Sequence, residues 1–245
     1  MDAVLQPELF IAMAATFLAG IVRGFSGFGA AMMQAPVFAL LFAPAQAVAT
    51  IAGLGTLASL QLLRGAVRQV DMRQVVPITV AAMVTIPVGS LLLVVLEPDL
   101  MRRGIAGLVL LLVLVLMTGW RYPGRRGAGV AAGTGALSGV INGATGVGGP
   151  PVVLYLLAGP DSARTNRANL IFYFTFLNGG TWLSLLWHGV ITLETLWRTL
   201  ALWPVQIVSL WCGSWLFTRA NDALYRRAAL GLLLAVALFG LFYRR

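Results

Sequence analysis

A chain of 245 residues that is 59% apolar and only 10% charged cannot cover a water-facing surface, since soluble domains carry about 25% charged residues. The mean hydropathy of +0.89 agrees, so the chain reads as an integral membrane protein. The net charge of +9 comes from 17 bases, all of them arginine, scattered between apolar runs rather than gathered on a polar face, which sets nucleic acid aside as a partner.

Scarcity narrows the chemistry. One cysteine, Cys212, excludes an intrachain disulfide and a cysteine metal cluster. One histidine, His188, excludes a histidine-rich zinc or haem site. No cofactor or metal is expected. The eight acids, Asp2, Glu8, Asp71, Glu97, Asp99, Asp161, Glu194 and Asp222, lie near the ends of apolar runs. None sits mid-span, where proton-relay or cation-coupled carriers keep a carboxylate.

In chain order, the N-terminal stretch Met1–Phe10 is acidic and lacks the basic region of a cleavable signal peptide. An interrupted apolar segment, Leu9–Phe42, comes next. Spans are expected at Ala45–Leu63, Gln74–Leu96 and Gly104–Trp120, followed by a polar linker, Arg121–Arg126. A second interrupted segment, Gly127–Gly159, precedes spans at Asn169–Val190, Thr195–Phe217 and Ala228–Tyr243. A crossing takes about 20 apolar residues, and both interrupted segments are too long for one ordinary helix. Their breaks read Arg23-Gly24-Phe25-Ser26-Gly27-Phe28-Gly29 and Asn142-Gly143-Ala144-Thr145-Gly146-Val147-Gly148-Gly149.

The breaks belong to an internal repeat. At an offset of 119, Gly20, Gly24, Gly27 and Gly29 fall on Gly139, Gly143, Gly146 and Gly148, and Ser26 falls on Thr145. At an offset of 124, Gly89-Ser90 falls on Gly213-Ser214, while Leu100, Arg102-Arg103 and Gly107 fall on Leu224, Arg226-Arg227 and Gly231. One membrane domain of two halves follows, 1–120 and 127–245, joined by 121–126. If each broken segment crosses the membrane, the sixteen arginines other than Arg23 divide nine to seven between the two faces. If each dips in and returns, eleven share one face against five, a usable cytoplasmic bias. The expected fold is therefore all-α and polytopic. It has two homologous, inverted repeats, each opening with a glycine-broken discontinuous or re-entrant helix followed by three spans, and the N-terminus lies outside.

Broken backbone at membrane depth leaves amides unpaired at several kcal/mol per group unless something fills the gap. Transporters use this arrangement, because half-helix N-termini offer N–H groups and a positive dipole end to anions. The second half-helices are expected to begin near Gly29 and Gly149, with Pro150 in a first turn that needs no N–H there. The candidate substrate-binding residues are Arg23, Gly24, Ser26, Gly27, Gly29, Asn142, Gly143, Thr145, Gly146, Gly148 and Gly149. Arg23, the one charge inside its segment, offers a planar fork to an oxyanion. Ser59 and Asn178, coincident at the offset of 119, are candidate path-lining residues.

Plainer readings stand beside these. Glycines in membrane helices serve close packing, and an arginine at a hairpin end can snorkel. Arg102-Arg103 and Arg226-Arg227 read as topology anchors, His188 beside Trp187 as an interfacial residue, and Ser59 and Asn178 as interhelical hydrogen-bonding groups. A membrane enzyme acting on lipid or phosphate would want buried His, Asp or Glu, which are nearly lacking here. A passive scaffold leaves the paired breaks unexplained.

On its duplicated halves and glycine-rich breaks, the sequence resembles the sulfite exporter TauE/SafE family of small bacterial anion permeases over nearly its whole length. The first half keeps Gly27, Gly29 and Pro36 but has Phe28, Ala30 and Ala31 where the family shows further glycines. The second keeps Gly146, Gly148 and Gly149, with Pro150-Pro151 following at once. The resemblance implies a multi-pass inner-membrane transporter or facilitator, not an enzyme, for sulfite or a sulfonate, with export the expected direction. Uptake, or another small anion such as a carboxylate, is the alternative. The expected partners are that anion and the lipid bilayer, with a homodimer allowed for.

Overall fold

The computed structural model describes residues 7–97, 100, 127–159 and 161–221. The expected spans Gly104–Trp120 and Ala228–Tyr243 and the linker Arg121–Arg126 lie outside the described residues. Eight α-helices are described: α1 (Pro7–Ser26), α2 (Ala30–Leu41), α3 (Pro44–Ala66), α4 (Met72–Val95), α5 (Ala128–Thr145), α6 (Gly149–Leu157), α7 (Ala163–Trp187) and α8 (Leu193–Thr218). Five of them, α1, α3, α4, α7 and α8, are long and apolar enough to cross a membrane.

Local chemistry sets the helix ends. Asp71 caps α4 by accepting from the Arg73 and Gln74 amides, Ser162 caps α7 through Thr165, and Thr192 caps α8 through Thr195. Pro44 and Pro150 occupy the first turns of α3 and α6, as Pro150 was expected to do. The expected spans fit α3, α4 and α8 to within three residues, but α7 begins six residues before Asn169. Its opening turns are polar, yet Asn166 and Asn169 are buried. Asn169 accepts from the Asp71 amide at 2.8 Å and donates to Gln74 Oε1 at 3.0 Å. Hydropathy discounts such residues, whereas Asp71 and Gln74 as partners of Asn169, and the Asp161 carbonyl that accepts from Asn166 at 3.2 Å, let them continue the helix.

Helix pairs at close approach frame the molecule. An added Cβ on Gly24 would lie 2.4 Å from the Leu210 carbonyl oxygen, and one on Gly20 would lie 1.8 Å from Ser209 Oγ, so α1 runs parallel to α8 at backbone contact. On Gly143 it would lie 2.4 Å from the Ile86 carbonyl oxygen, and on Gly139 2.3 Å from that of Ala82, so α5 runs parallel to α4 in the same way. Small residues allow this approach where dispersion, rather than hydrophobic exclusion, must hold helices together. Between the pairs, α3 and α7 carry the buried centre, where Leu54, Leu170, Tyr173 and Leu177 pack with Phe28, Phe38 and Leu156. Residues such as Val84, Val95, Trp187 and Trp211 face outward, as a lipid-facing surface requires.

One end of the molecule gathers the turn after α3, the start of α7 and the end of α8, joined by Gln74, Asp161 and Asn169 and by Arg167. Among described residues it holds Arg64, Arg68, Arg73, Arg164, Arg167 and Arg219. At the other end the α2–α3 junction meets the start of α8, where the Arg198 guanidinium lies 3.8 Å from the Phe42 ring centroid.

Candidate functional site

Both glycine clusters break the helices, within narrower limits than the sequence suggested. Helix α1 continues through Arg23 to Ser26, and α2 restarts at Ala30; α5 continues through Asn142 to Thr145, and α6 restarts at Gly149. Each exit is a left-handed glycine, Gly27 at φ +84° and Gly146 at φ +73°, a conformation open to glycine at little cost. Gly29 is left-handed too, while Gly148 is not.

The two turns are built alike. Gly27 and Gly146 each donate from the amide, at 2.8 Å, to the carbonyl of Arg23 and of Asn142. Ser26 Oγ donates to the Val22 carbonyl at 2.8 Å and accepts the Phe28 amide at 3.2 Å. Thr145 Oγ1 does the same with Ile141 and Val147, at 2.8 and 3.1 Å. These hydroxyls close the turn locally. Asn142 also turns inward: Oδ1 accepts the Gly148 amide at 2.9 Å, and Nδ2 donates to Thr181 Oγ1 at 2.9 Å. Ser138 bonds the Gly148 carbonyl and accepts from the buried Tyr173 hydroxyl at 2.6 Å. The amides of Phe28, Val147 and Gly148 therefore already have protein partners. Gly24 and Gly143 spend their bare Cα face on α8 and α4, and Gly149 lies under the Phe174 ring, 2.7 Å from where a Cβ would stand.

What remains open lies around the first break. Arg23 is 2% exposed; its Nη2 reaches the Gly55 carbonyl at 3.3 Å and also Ser59 Oγ. Its guanidinium carbon stands 5.3 Å from the Phe174 ring centroid. Among the described residues no carboxylate pairs with it, and Nε has no hydrogen-bond partner. Asn178 packs against Gly55 and donates to the Phe174 carbonyl at 2.9 Å. The structure thus brings Arg23, Ser59 and Asn178 together, with Phe174 between Arg23 and Gly149.

Sequence reasoning passed over three residues. Gln34 is buried on α2, and its Nε2 also lacks a partner. Counted at about 1.5 Å per residue, Arg23 and Gln34 lie some 4–6 Å along their helices from the break. Its signal was there: Gln34 is the one polar side chain in α2. Phe174 gave none, since an aromatic in an apolar span reads as core. Arg167 stands out in sequence only as one of the arginines counted towards the cytoplasmic face, yet it donates from Nε to the Phe25 carbonyl at 3.1 Å and from Nη2 to that of Gly24 at 2.5 Å.

The halves differ in what they can offer an anion. The first-turn amides of α2, on Ala30, Ala31 and Met32, are those that helix geometry leaves without an intrahelical partner. The first turn of α6 contains Pro150 and Pro151, which have no N–H to give. Among the described residues, the charge and the open first-turn amides lie on the side of the first break, whereas beside the second break Ser90, against Gly143, has a buried hydroxyl without a partner.

The family model described as sulfite exporter TauE/SafE matches residues 12–240. The chain belongs to the TauE/SafE family. A relative in Cupriavidus necator described as a probable sulfite/organosulfonate exporter TauE is 27% identical over 221 residues, covering 86% of this chain and 85% of its own. No solved structure matches. Both breaks of this TauE/SafE protein sit among helices able to cross a membrane.

Proposed function

We propose that this protein carries sulfite or an organosulfonate outward across the bacterial inner membrane, holding the anion at the first helix break. The observation that carries the reading is Arg23: a buried guanidinium with no carboxylate partner among the described residues and an unbonded Nε. A lone charge is expensive inside a membrane protein and marks a pathway or a ligand. Arg23 supplies the charge and a planar fork, Gln34 a second donor, and the Ala30, Ala31 and Met32 amides the positive end of a helix. Ser59 and Asn178 border the path. Gly27 and Gly29 make the turn; in this reading Ser26, Gly24 and the second break, Asn142 to Gly149, shape the scaffold rather than touch the anion.

The same reading takes the halves as inverted repeats and the broken segments as hairpins. Supporting it, the offsets of 119 and 124 recur in the packing: Gly24 meets Leu210, Gly213 and Ser214, while Gly143 meets Ile86, Gly89 and Ser90. The arginine-rich end then faces the cytoplasm. An inside-negative potential favours anion exit by about 2.3 kcal/mol per charge per 100 mV, so export requires no coupling carboxylate.

Counterflow of labelled sulfite and of a labelled sulfonate into proteoliposomes is the test. Saturable exchange, competed by sulfite and sulfonates more strongly than by carboxylates, is expected. Exchange of carboxylates alone, or of no anion, overturns the reading.

A further inference from the structure

Six buried side-chain atoms lack a hydrogen-bond partner among the described residues, and four of them cluster on the helices around the first break. These are Thr16 Oγ1 and Arg23 Nε on α1, Gln34 Nε2 on α2 and Gln206 Oε1 on α8. Arg23 and Gln34 belong to the anion site already proposed. Thr16 and Gln206 lie outside it, and both are buried without the bond that would offset their lost hydration. Buried helical threonines such as Thr50, Thr79 and Thr199 settle their hydroxyls on the carbonyl four residues back, at 2.8 Å. Thr16 makes no such bond.

Helix packing puts the two residues together. Thr16, Gly20 and Arg23 fall on one stripe of α1, at i, i+4 and i+7. A Cβ on Gly20 would lie 3.6 Å from the Gln206 carbonyl oxygen, so Gln206 stands level with Gly20, one turn from Thr16. Side chains lean toward the start of their helix, and α8 runs parallel to α1, which carries the Gln206 carboxamide toward Thr16. The helices also part here. The nearest backbone atom of α8 is 2.4 Å from a Cβ on Gly24 but 3.6 Å from one on Gly20. In the other pair, α4 keeps backbone contact with α5 throughout, at 2.4, 2.3 and 2.1 Å for Gly143, Gly139 and Gly135. The offsets of 119 and 124 pair Thr16 with Gly135 and Gln206 with Ala82. The same positions are closed and apolar in one half, parted and polar in the other.

We propose that Thr16 and Gln206 form a second, neutral station for the transported oxyanion, about 10 Å from Arg23 counted along α1 at about 1.5 Å per residue. The proposal rests on the oxyanion-transport reading for its ligand. Helix α1 starts, as α8 does, at the end opposite the arginine-rich one, so Thr16 lies on the outward side of Arg23 in that reading. The Thr16 hydroxyl and the Gln206 amide nitrogen donate to anion oxygens, whereas Gln206 Oε1 accepts from a water that travels with the anion. Neutral donors hold an anion less tightly than a guanidinium does, and a weak site after a strong one lets the ion leave.

The test compares Thr16→Val, Gln206→Leu and the double variant with the wild-type protein. Sulfite exchange in proteoliposomes over a range of concentrations, sulfite binding by calorimetry and thermal unfolding are measured on the same preparations. Both substitutions nearly keep the side-chain shape while removing unpartnered polar atoms, so unfolding at the wild-type temperature or above is expected. Sulfite affinity, set at Arg23, should stay within about twofold, as for well-separated sites. Exchange at saturating sulfite should slow about two- to tenfold per variant, the range for one ordinary hydrogen bond. Saturating exchange at the wild-type rate in the double variant overturns the station, as does slowing that appears only together with a fall in unfolding temperature. If Gln206→Leu does not fold, Gln206→Ala, which takes the residue of the paired position and adds no bulk, decides the same question. The two readings fail separately. Exchange that depends on Arg23 but not on Thr16 or Gln206 keeps transport and removes the station, whereas a wild-type protein that exchanges no anion removes transport and the station with it.

Discussion

Replacing Arg23 by methionine should separate stability from binding, and in opposite directions. The substitution keeps the length and the apolar stem while removing the charge. In the folded protein it deletes the bonds to the Gly55 carbonyl and Ser59 Oγ and the contact with the Phe174 ring. Neither partner is orphaned, because Ser59 Oγ already donates to the Gly55 carbonyl at 2.8 Å. Against that loss, a buried, unpaired guanidinium is no longer stripped of water, and apolar replacement of buried ions is often neutral or stabilising by about 1–4 kcal/mol. The Arg23→Met variant should therefore unfold at the same or a higher temperature in detergent. Binding should fall, since one charge-assisted hydrogen bond is worth about 1.5–3 kcal/mol, or roughly ten- to a hundredfold in affinity. Arg23→Lys, which keeps charge but loses the fork, should fall between. Sulfite counterflow and thermal unfolding on the same preparations check both axes. Wild-type affinity in Arg23→Met, or a Lys variant equal to Arg with a Met variant impaired only in stability or insertion, would refute the reasoning and leave Arg23 as an anchor.

Three further outcomes follow from the geometry. Ser26→Ala and Thr145→Ala each remove the acceptor of a buried amide in a break, so each should destabilise by about 1–3 kcal/mol in thermal unfolding; weaker sulfite binding at unchanged stability would instead make the hydroxyls direct ligands. Gly24→Ala and Gly143→Ala drive a Cβ to 2.4 Å from a backbone oxygen and should cost about 1–3 kcal/mol or more by overpacking, visible as lost folded yield, whereas Gly133→Ala on α5, with nothing within 4 Å, should be tolerated. In a Cys212→Ser background, Arg68→Cys and Asn221→Cys should label with an impermeant maleimide from the cytoplasmic face and Glu194→Cys from the opposite one; labelling of Arg68→Cys and Glu194→Cys from one face and Asn221→Cys from the other, as crossing broken segments would give, ends the hairpin topology.

Local pattern alone placed the membrane class, both helix breaks and the first turn of α6 at Pro150, because hydropathy, glycine clustering and proline geometry act within a few residues. The same pattern singled out Arg23, since a charge in an apolar run is conspicuous wherever the run ends up. What the side chains near the breaks do was decided elsewhere in the chain. Gly24 and Gly143 look like cradle glycines in sequence, yet they press on Leu210 and Ile86, on helices far along the chain. Ser26 and Thr145 turned to their own backbone, and Asn142 closed on Gly148 and Thr181. Arg167 gained its carbonyl partners across 142 and 143 residues. The physical reason is shared: in a membrane interior every polar group must find a partner within the protein. Which partner it finds depends on which helices pack together, and that is settled by surfaces that no local window contains.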